Sequence, residues 1–197
     1  MRLDTFNNGN FDRGRSRGVE VLWLVCGRLV ASSLPGSAWR RLLLRGFGAR
    51  MGKGVVIKPR VRIKFPWRLS VGEYSWLGEG SWIDNLATVT IGSHCCVSQG
   101  VYLCTGSHDW SKSTFDLITQ PITVGDAAWL AACCRIAPGV TIGEGAVIQL
   151  GAVLTSDANP HTRYGGNPAR ALGPVRSPAP ESPPAVAPGG GPQKDSQ

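Results

Sequence analysis

The sequence predicts a mainly β solenoid: a parallel β-helix of triangular coils, preceded by a helical segment and followed by an unstructured tail. Three observations carry this expectation. From Met51 onward an aliphatic residue opens nearly every successive six, a small residue commonly sits fifth, and composition changes at both ends of the repeating stretch.

Residues 1–17 are polar and Gly/Arg-rich, which predicts a flexible N-terminus. GVEVLWLVCGRLVASSL (18–34) is apolar nearly all round and is closed by Pro35, as expected of a helix. Arg28 and Pro35 interrupt it before the roughly 20 apolar residues that a bilayer span requires. The helix is expected to pack on the domain or to lie at a membrane surface. SAWRRLLLR (37–45) reads as a second short helix, stopped by the glycines of GFGAR, so residues 18–50 form a helical segment.

Residues 51–173 carry the repeat. MGKGVV, IKPRVR and IKFPWR are followed by VGEYSW, LGEGSW and IDNLAT, then by IGSHCC, VSQGVY and LCTGSH. Neither a helix nor simple strand alternation gives a period of six. Three sixes close one triangular coil, with the first residue of each pointing inward and the fifth packed beside it. At LSV, VTI and ITV the frame slips by two, so Leu69 and Val89 stand 20 apart and one corner must be widened. Val89 and Ile122 stand 33 apart, which makes the thirteen residues DWSKSTFDLITQP (109–121) an excursion leaving the coil directly after His108. Such loops on rigid scaffolds commonly carry sites, the alternative being an inert surface insertion. Residues 174–197 are Pro/Gly/Ser-rich without apolar period and are expected to be a disordered tail.

Charge is unevenly divided. Residues 1–68 hold 15 Lys/Arg against 3 Asp/Glu, and residues 69–197 hold 6 against 10. A basic first third can attract nucleic acid, anionic lipid or phosphorylated ligands. The six cysteines lack any CxxC spacing and read as reduced thiols of a cytosolic protein.

FGARMGKGVVIKPRVRIKFPW, VGEYSWLGEGSWIDNL, VSQGVYLCTGSHDW, STFDLITQPITVGD and YGGNPAR, in this order, resemble the colanic-acid-type exopolysaccharide O-acetyltransferases, members of the left-handed parallel β-helix (hexapeptide-repeat) acyltransferases. The resemblance implies a left-handed coil, a homotrimer with sites between neighbouring prisms, acetyl-CoA as co-substrate and a carbohydrate acceptor in an exopolysaccharide precursor. It also implies a cytoplasmic enzyme; a lipid-linked precursor would give the basic first third an anionic membrane to approach. No nucleic-acid partner is expected. Acetylation of a small free sugar or amino sugar is the alternative within enzymes, and a non-catalytic trimeric assembly module is the alternative outside them.

His108 is the expected general base, since a neutral imidazole can take a hydroxyl proton near pH 7 and the family places its catalytic histidine in this GSHD stretch. Its orienting partner is sought among Asp84, Asn85 and Asp109, each of which could instead bond a corner backbone. By the coil spacing Asp84 stacks under Cys104 and Asn85 under Thr105. Cys104 near a histidine could be a nucleophile, but its position next to an inward residue reads as packing.

The resemblance sets Trp129, Ala131, Ala132 and Gly151 along the pantetheine arm and Thr155 and Arg170 near the nucleotide; Arg170 also reads as a solvated arginine. Trp82 and Trp110 are expected on the acceptor side; outward Trp76 and Trp82 on a short, flat prism also give trimerisation a rationale, the alternative being that they cover the N-terminal helix. Two departures from the family pattern stand out, QLGA (149–152) and LTSD (154–157), where Leu150 replaces a smaller residue and Ser156 a lysine. No histidine lies between His108 and His161, and no metal is expected.

Overall fold

The computed structural model describes residues 2–175. Most of the chain winds as a parallel β-helix whose strands, two or three residues long in most coils, stack into three sheets. One wall pairs Arg50–Met51, Leu69–Val71, Val89–Ile91, Ile122–Val124 and Thr141–Ile142 in that order. A second runs Val56–Ile57, Trp76–Leu77, Cys96–Val97, Trp129–Leu130, Val147–Ile148 and Thr162–Gly166, and is finished antiparallel by Ala169–Pro174. The third stacks Arg62–Ile63, Trp82–Asp84, Tyr102–Cys104, Arg135–Ile136 and Val153–Leu154.

The expected register holds. Leu69 pairs with Val89 and Val89 with Ile122, so the 20- and 33-residue spacings are successive steps up one wall. Inward columns such as Ile57, Leu77, Val97, Leu130 and Ile148 are almost fully buried. Each such side chain contributes roughly 1.5–3 kcal/mol. The small fifth residues, including Ser75, Cys95, Ala128 and Ala146, are buried beside them.

Two corners turn on single left-handed residues. Gly54, Tyr74, His94, Ala127, Gly145 and His161 form one column, with φ between 51° and 69°. His94 and His161 are therefore corner residues, His94 stacked on Tyr74 with centroids 5.4 Å apart. The second column is Arg60, Gly80, Gly100, Cys133 and Gly151.

The third corner is the wide one. In the lowest coil it holds the 3-10 turn Pro66–Arg68, and one coil above it Asn85 is wholly buried. The Asn85 amide accepts from the Phe65 N–H (2.9 Å) and donates to the Phe65 carbonyl (2.6 Å), tying the two coils together. Above it Thr105 donates through its hydroxyl to the Asp84 carbonyl at 2.9 Å.

Four expectations need correcting. The excursion, whose conformation the sequence left open, is a β-hairpin, and it leaves the wall before His108 rather than after it: Gly106–His108 pairs antiparallel with Leu117–Thr119. Residues 2–16, expected to be flexible, lie along the wide corner because Phe6 and Phe11 find aromatic partners. Phe11 stacks on Phe65 at 6.5 Å, Trp67 donates to the Arg13 carbonyl at 2.8 Å, and the Arg2 N–H donates to the Ser113 carbonyl at 2.9 Å.

The first helix, α1, spans Arg17–Val30 and stops short of Leu34. Beyond it the chain turns its carbonyls onto the buried Arg40 of α2 (Ala38–Gly46), whose guanidinium donates to Val30, Ser32, Leu34 and Gly36. Finally, Pro174 ends a strand and the Val175 N–H donates to the His161 carbonyl at 2.8 Å, so the expected tail begins later than residue 174; its remainder lies outside the described residues.

Candidate active site

The hairpin presents His108 at the mouth of the wide corner. The imidazole lies flat on Phe115, with centroids 4.2 Å apart and planes 2° from parallel, and Phe6 meets its edge at 5.4 Å. Nδ1 is 2.8 Å from the Phe115 carbonyl oxygen. A carbonyl only accepts, so Nδ1 carries the proton and Nε2 of the neutral ring keeps its lone pair.

A cavity of about 250 Å³ opens over the ring, lined by Phe6, Asn8, Phe11, Lys64, Leu86 and Leu117 among others. It adjoins a larger cleft of about 540 Å³ between the N-terminal arm and the hairpin, with which it shares Asn8, Phe11 and Leu117. Asn7, Asn10, Asp12, Arg68, Asp116 and Thr119 complete the cleft, a largely polar lining.

The sought carboxylate or amide partner of His108 is absent from this arrangement. Asp84 stacks under Cys104 as the spacing required, but its carboxylate accepts from the Tyr102 hydroxyl (3.1 Å) and pairs with Lys64 (3.2 Å). Burial, then the neighbouring Cys104 and Asp84, push the Tyr102 hydroxyl's pKa well up. Asn85 spends both amide atoms on Phe65, and Asp109 accepts from the Ser111 hydroxyl and N–H inside the hairpin turn. The Ser111 hydrogen bonds, followed by Lys112, hold the Asp109 carboxyl below its usual range. Cys104 is enclosed by the Tyr102 hydroxyl and the Gly106 carbonyl, each 3.2 Å from its sulfur.

The expected acceptor-side tryptophans sit elsewhere in the fold. Trp110 projects from the hairpin, 83% exposed. Trp82 stacks on Tyr102 at 4.8 Å under the Arg62 guanidinium, on the outer face of the third wall. Neither lines the two cavities beside His108.

On the second wall a groove of about 610 Å³ runs past Ser98, Trp129, Ala131, Ala132, Gln149, Leu150 and Arg163. The Trp129 indole donates to the Ser98 hydroxyl at 3.0 Å, which fixes the ring as the groove's side. Of the residues expected along a cofactor, Trp129, Ala131 and Ala132 line this groove, whereas Gly151, Thr155 and Arg170 do not. Arg170 is exposed and donates to the Ala169 carbonyl at 3.0 Å. The cation at the groove is Arg163, held by the carbonyls of Pro174 and Leu172. Gly151 has open space where a Cβ would stand; its φ of +68° is what requires glycine. Among the described residues, no three His, Cys, Asp or Glu side chains gather as a metal site would need.

No family model matches the chain. A putative colanic acid biosynthesis acetyltransferase of Escherichia coli is 41% identical over 160 residues, which cover 81% of this chain and 88% of the relative. Nodulation protein L of Rhizobium meliloti is 33% identical over 147 residues, 72% of this chain and 80% of that protein. Among solved structures, a hexapeptide-repeat acetyltransferase of Vibrio cholerae in complex with acetyl-CoA superposes with a TM-score of 0.75 at 26% identity, covering 90% of this chain and 100% of the other. The coil, its register and these likenesses agree, and the chain belongs to the left-handed β-helix, hexapeptide-repeat acetyltransferases, in the group that includes the colanic acid biosynthesis acetyltransferase.

Proposed function

We propose that the protein transfers the acetyl group of acetyl-CoA to a sugar hydroxyl of an exopolysaccharide precursor, with His108 as general base. The observation that carries this reading is the 2.8 Å contact between His108 Nδ1 and the Phe115 carbonyl oxygen. With Nδ1–H held by the Phe115 carbonyl, Nε2 would be left free to accept a proton.

His108 Nε2 takes the proton of the acceptor hydroxyl as its oxygen attacks the thioester carbonyl. The tetrahedral oxyanion is met by backbone N–H groups at a coil corner, and its collapse expels the CoA thiolate, which recovers the proton from Nε2. Acetyl moves once, directly, and no covalent enzyme intermediate is needed. Cys104, enclosed by Tyr102 and the Gly106 carbonyl, is left a packing role.

The groove along Trp129 suits a long thin pantetheine chain, and Arg163 at its side suits phosphate. The amide-rich cleft beneath the N-terminal arm suits sugar hydroxyls, and it joins the cavity over His108. The groove lies on the second wall and His108 on the hairpin at the wide corner, and their cavities share no lining residue, so one prism does not join them. A homotrimer in which one prism's groove faces the neighbour's His108 would, and it would also cover Trp129, which is 48% exposed. Reliance on acetyl-CoA favours the cytoplasm.

The test is thiol release from acetyl-CoA, comparing polysaccharide repeat units with free sugars and amino sugars. Release with repeat units supports the reading, and release with free sugars alone moves the acceptor to a small saccharide. No release with any acceptor, together with no CoA binding by calorimetry, would turn the prism into an assembly module.

A further inference from the structure

We propose that the exposed apolar ridge formed by α1 and α2 docks on an anionic lipid bilayer. In α1 only Trp23 and Val30 are buried. Val21, Leu22, Leu24, Val25 and Leu29 are each more than half exposed, and Leu34 and Leu42 extend the same surface. Between the helices Val19, Leu22, Trp39, Leu42 and Phe47 line an apolar groove of about 650 Å³. Water gains nothing from so many adjacent aliphatics, and a surface of this kind marks a place where something covers it.

The charges around the ridge say what that is. Arg17, Arg28, Arg45 and Arg50 are exposed, and among the described residues none has a carboxylate partner. The three acids of the first 68 residues are already engaged: Asp4 with Arg2, Glu20 with Arg13 and Asp12 with Arg68. A second copy seated on this face would bring the same unpaired cations against one another. A nucleic acid would match the charge and leave the aliphatics wet. A bilayer with acidic head groups matches both, taking the leucines at the acyl boundary and the arginines among the phosphates.

At 14 residues α1 is about 21 Å long, short of a hydrocarbon core of roughly 30 Å. No helix among the described residues is long and apolar enough to cross a membrane. The ridge therefore lies flat on the surface. Lys64 lines both the cavity beside Leu24 and Arg28 and the cavity over His108, so docking would set the acceptor side close to the head groups. Delivery of a lipid-linked acceptor rests on the function proposed above; the docking itself does not.

The test is flotation of the full chain with vesicles of phosphatidylcholine alone or with about one-third phosphatidylglycerol, at roughly 0.1 M salt. The wild type is expected to float with the anionic vesicles and to be released about tenfold by roughly 1 M salt, where the screening length falls to about 3 Å. The triple variant Leu22→Gln, Val25→Gln, Leu29→Gln changes only exposed side chains, and circular dichroism melting checks that it remains folded. It should lose at least about tenfold in partitioning, and Arg28→Gln with Arg45→Gln should lose the preference for anionic lipid. Wild type remaining soluble with both vesicles would overturn the proposal. So would sedimentation showing that the triple variant dissociates a larger assembly, which would assign the ridge to a second copy. Thiol release is not read, so either result leaves the acetyl-transfer reading standing.

Discussion

His108 and Phe115 are joined twice: their rings stack 4.2 Å apart, and the Phe115 carbonyl lies 2.8 Å from His108 Nδ1. One residue thus sets both the plane of the imidazole and the position of its proton. Phe115 does this from a left-handed backbone with φ of +52°, a conformation that a bulky residue holds only when its surroundings impose it. Phe115→Ala keeps the carbonyl and removes the stack, worth about 0.5–1.5 kcal/mol. It is expected to lower kcat about two- to tenfold with the KM for acetyl-CoA unchanged, measured by steady-state thiol release. A change in KM alone would mean that the ring serves cofactor binding.

Asn85 provides the contrast. Its amide makes two buried bonds to the Phe65 backbone, so Asn85→Ala leaves a buried donor and acceptor unpaired, at about 1–3 kcal/mol each. Urea denaturation should show a loss of about 2–5 kcal/mol, with the pH dependence of whatever activity survives unaltered. Unchanged stability with abolished turnover would return Asn85 to the chemistry.

Trp129→Ala should raise the KM for acetyl-CoA about tenfold and leave the acceptor KM alone, since the indole sides the second-wall groove and does not line the cavities near His108. Initial rates with each substrate varied in turn separate the two constants.

The thiols should sort by burial. Burial pushes Cys134 up to about 12 and raises Cys95 as well, so both stay protonated at neutral pH, while Cys133 is exposed. Maleimide should label Cys133 in the native protein and reach Cys95 and Cys134 only after unfolding. The same shift makes stability fall with rising pH. Between the unfolded thiol's value of about 9 and the folded Cys134 value of about 12, only the unfolded state releases the proton, at about 1.4 kcal/mol per pH unit. Below pH 8 this thiol contributes no pH dependence; a urea midpoint that climbs between pH 9 and 11 would contradict its burial.

The coil was legible because inward side chains repeat: Leu69, Val89 and Ile122 announce one wall and, by their spacing, that the chain makes an excursion between the last two. The departure itself was misplaced by a few residues, since spacing gives the length of an excursion and not its first residue: Gly106–His108 already belongs to the hairpin. The partner of His108 was not legible, because a backbone carbonyl carries no side-chain signature and Phe115 is seven residues away across a hairpin turn. Arg163 and Arg170 look alike in sequence, and both lie in the antiparallel closing hairpin, outside the six-residue repeat that would assign their directions. Phe6 and Phe11, two aromatics in an otherwise polar stretch, were the available sign that the N-terminal arm is anchored.

The central claim, that Nε2 of His108 removes the acceptor proton, is tested most directly by thiol release with a competent glycan acceptor, comparing wild type with His108→Ala at matched folding. Loss of the base should lower kcat by about 10²–10⁴ with the acetyl-CoA dissociation constant unchanged. Wild-type turnover in the alanine variant would contradict the account.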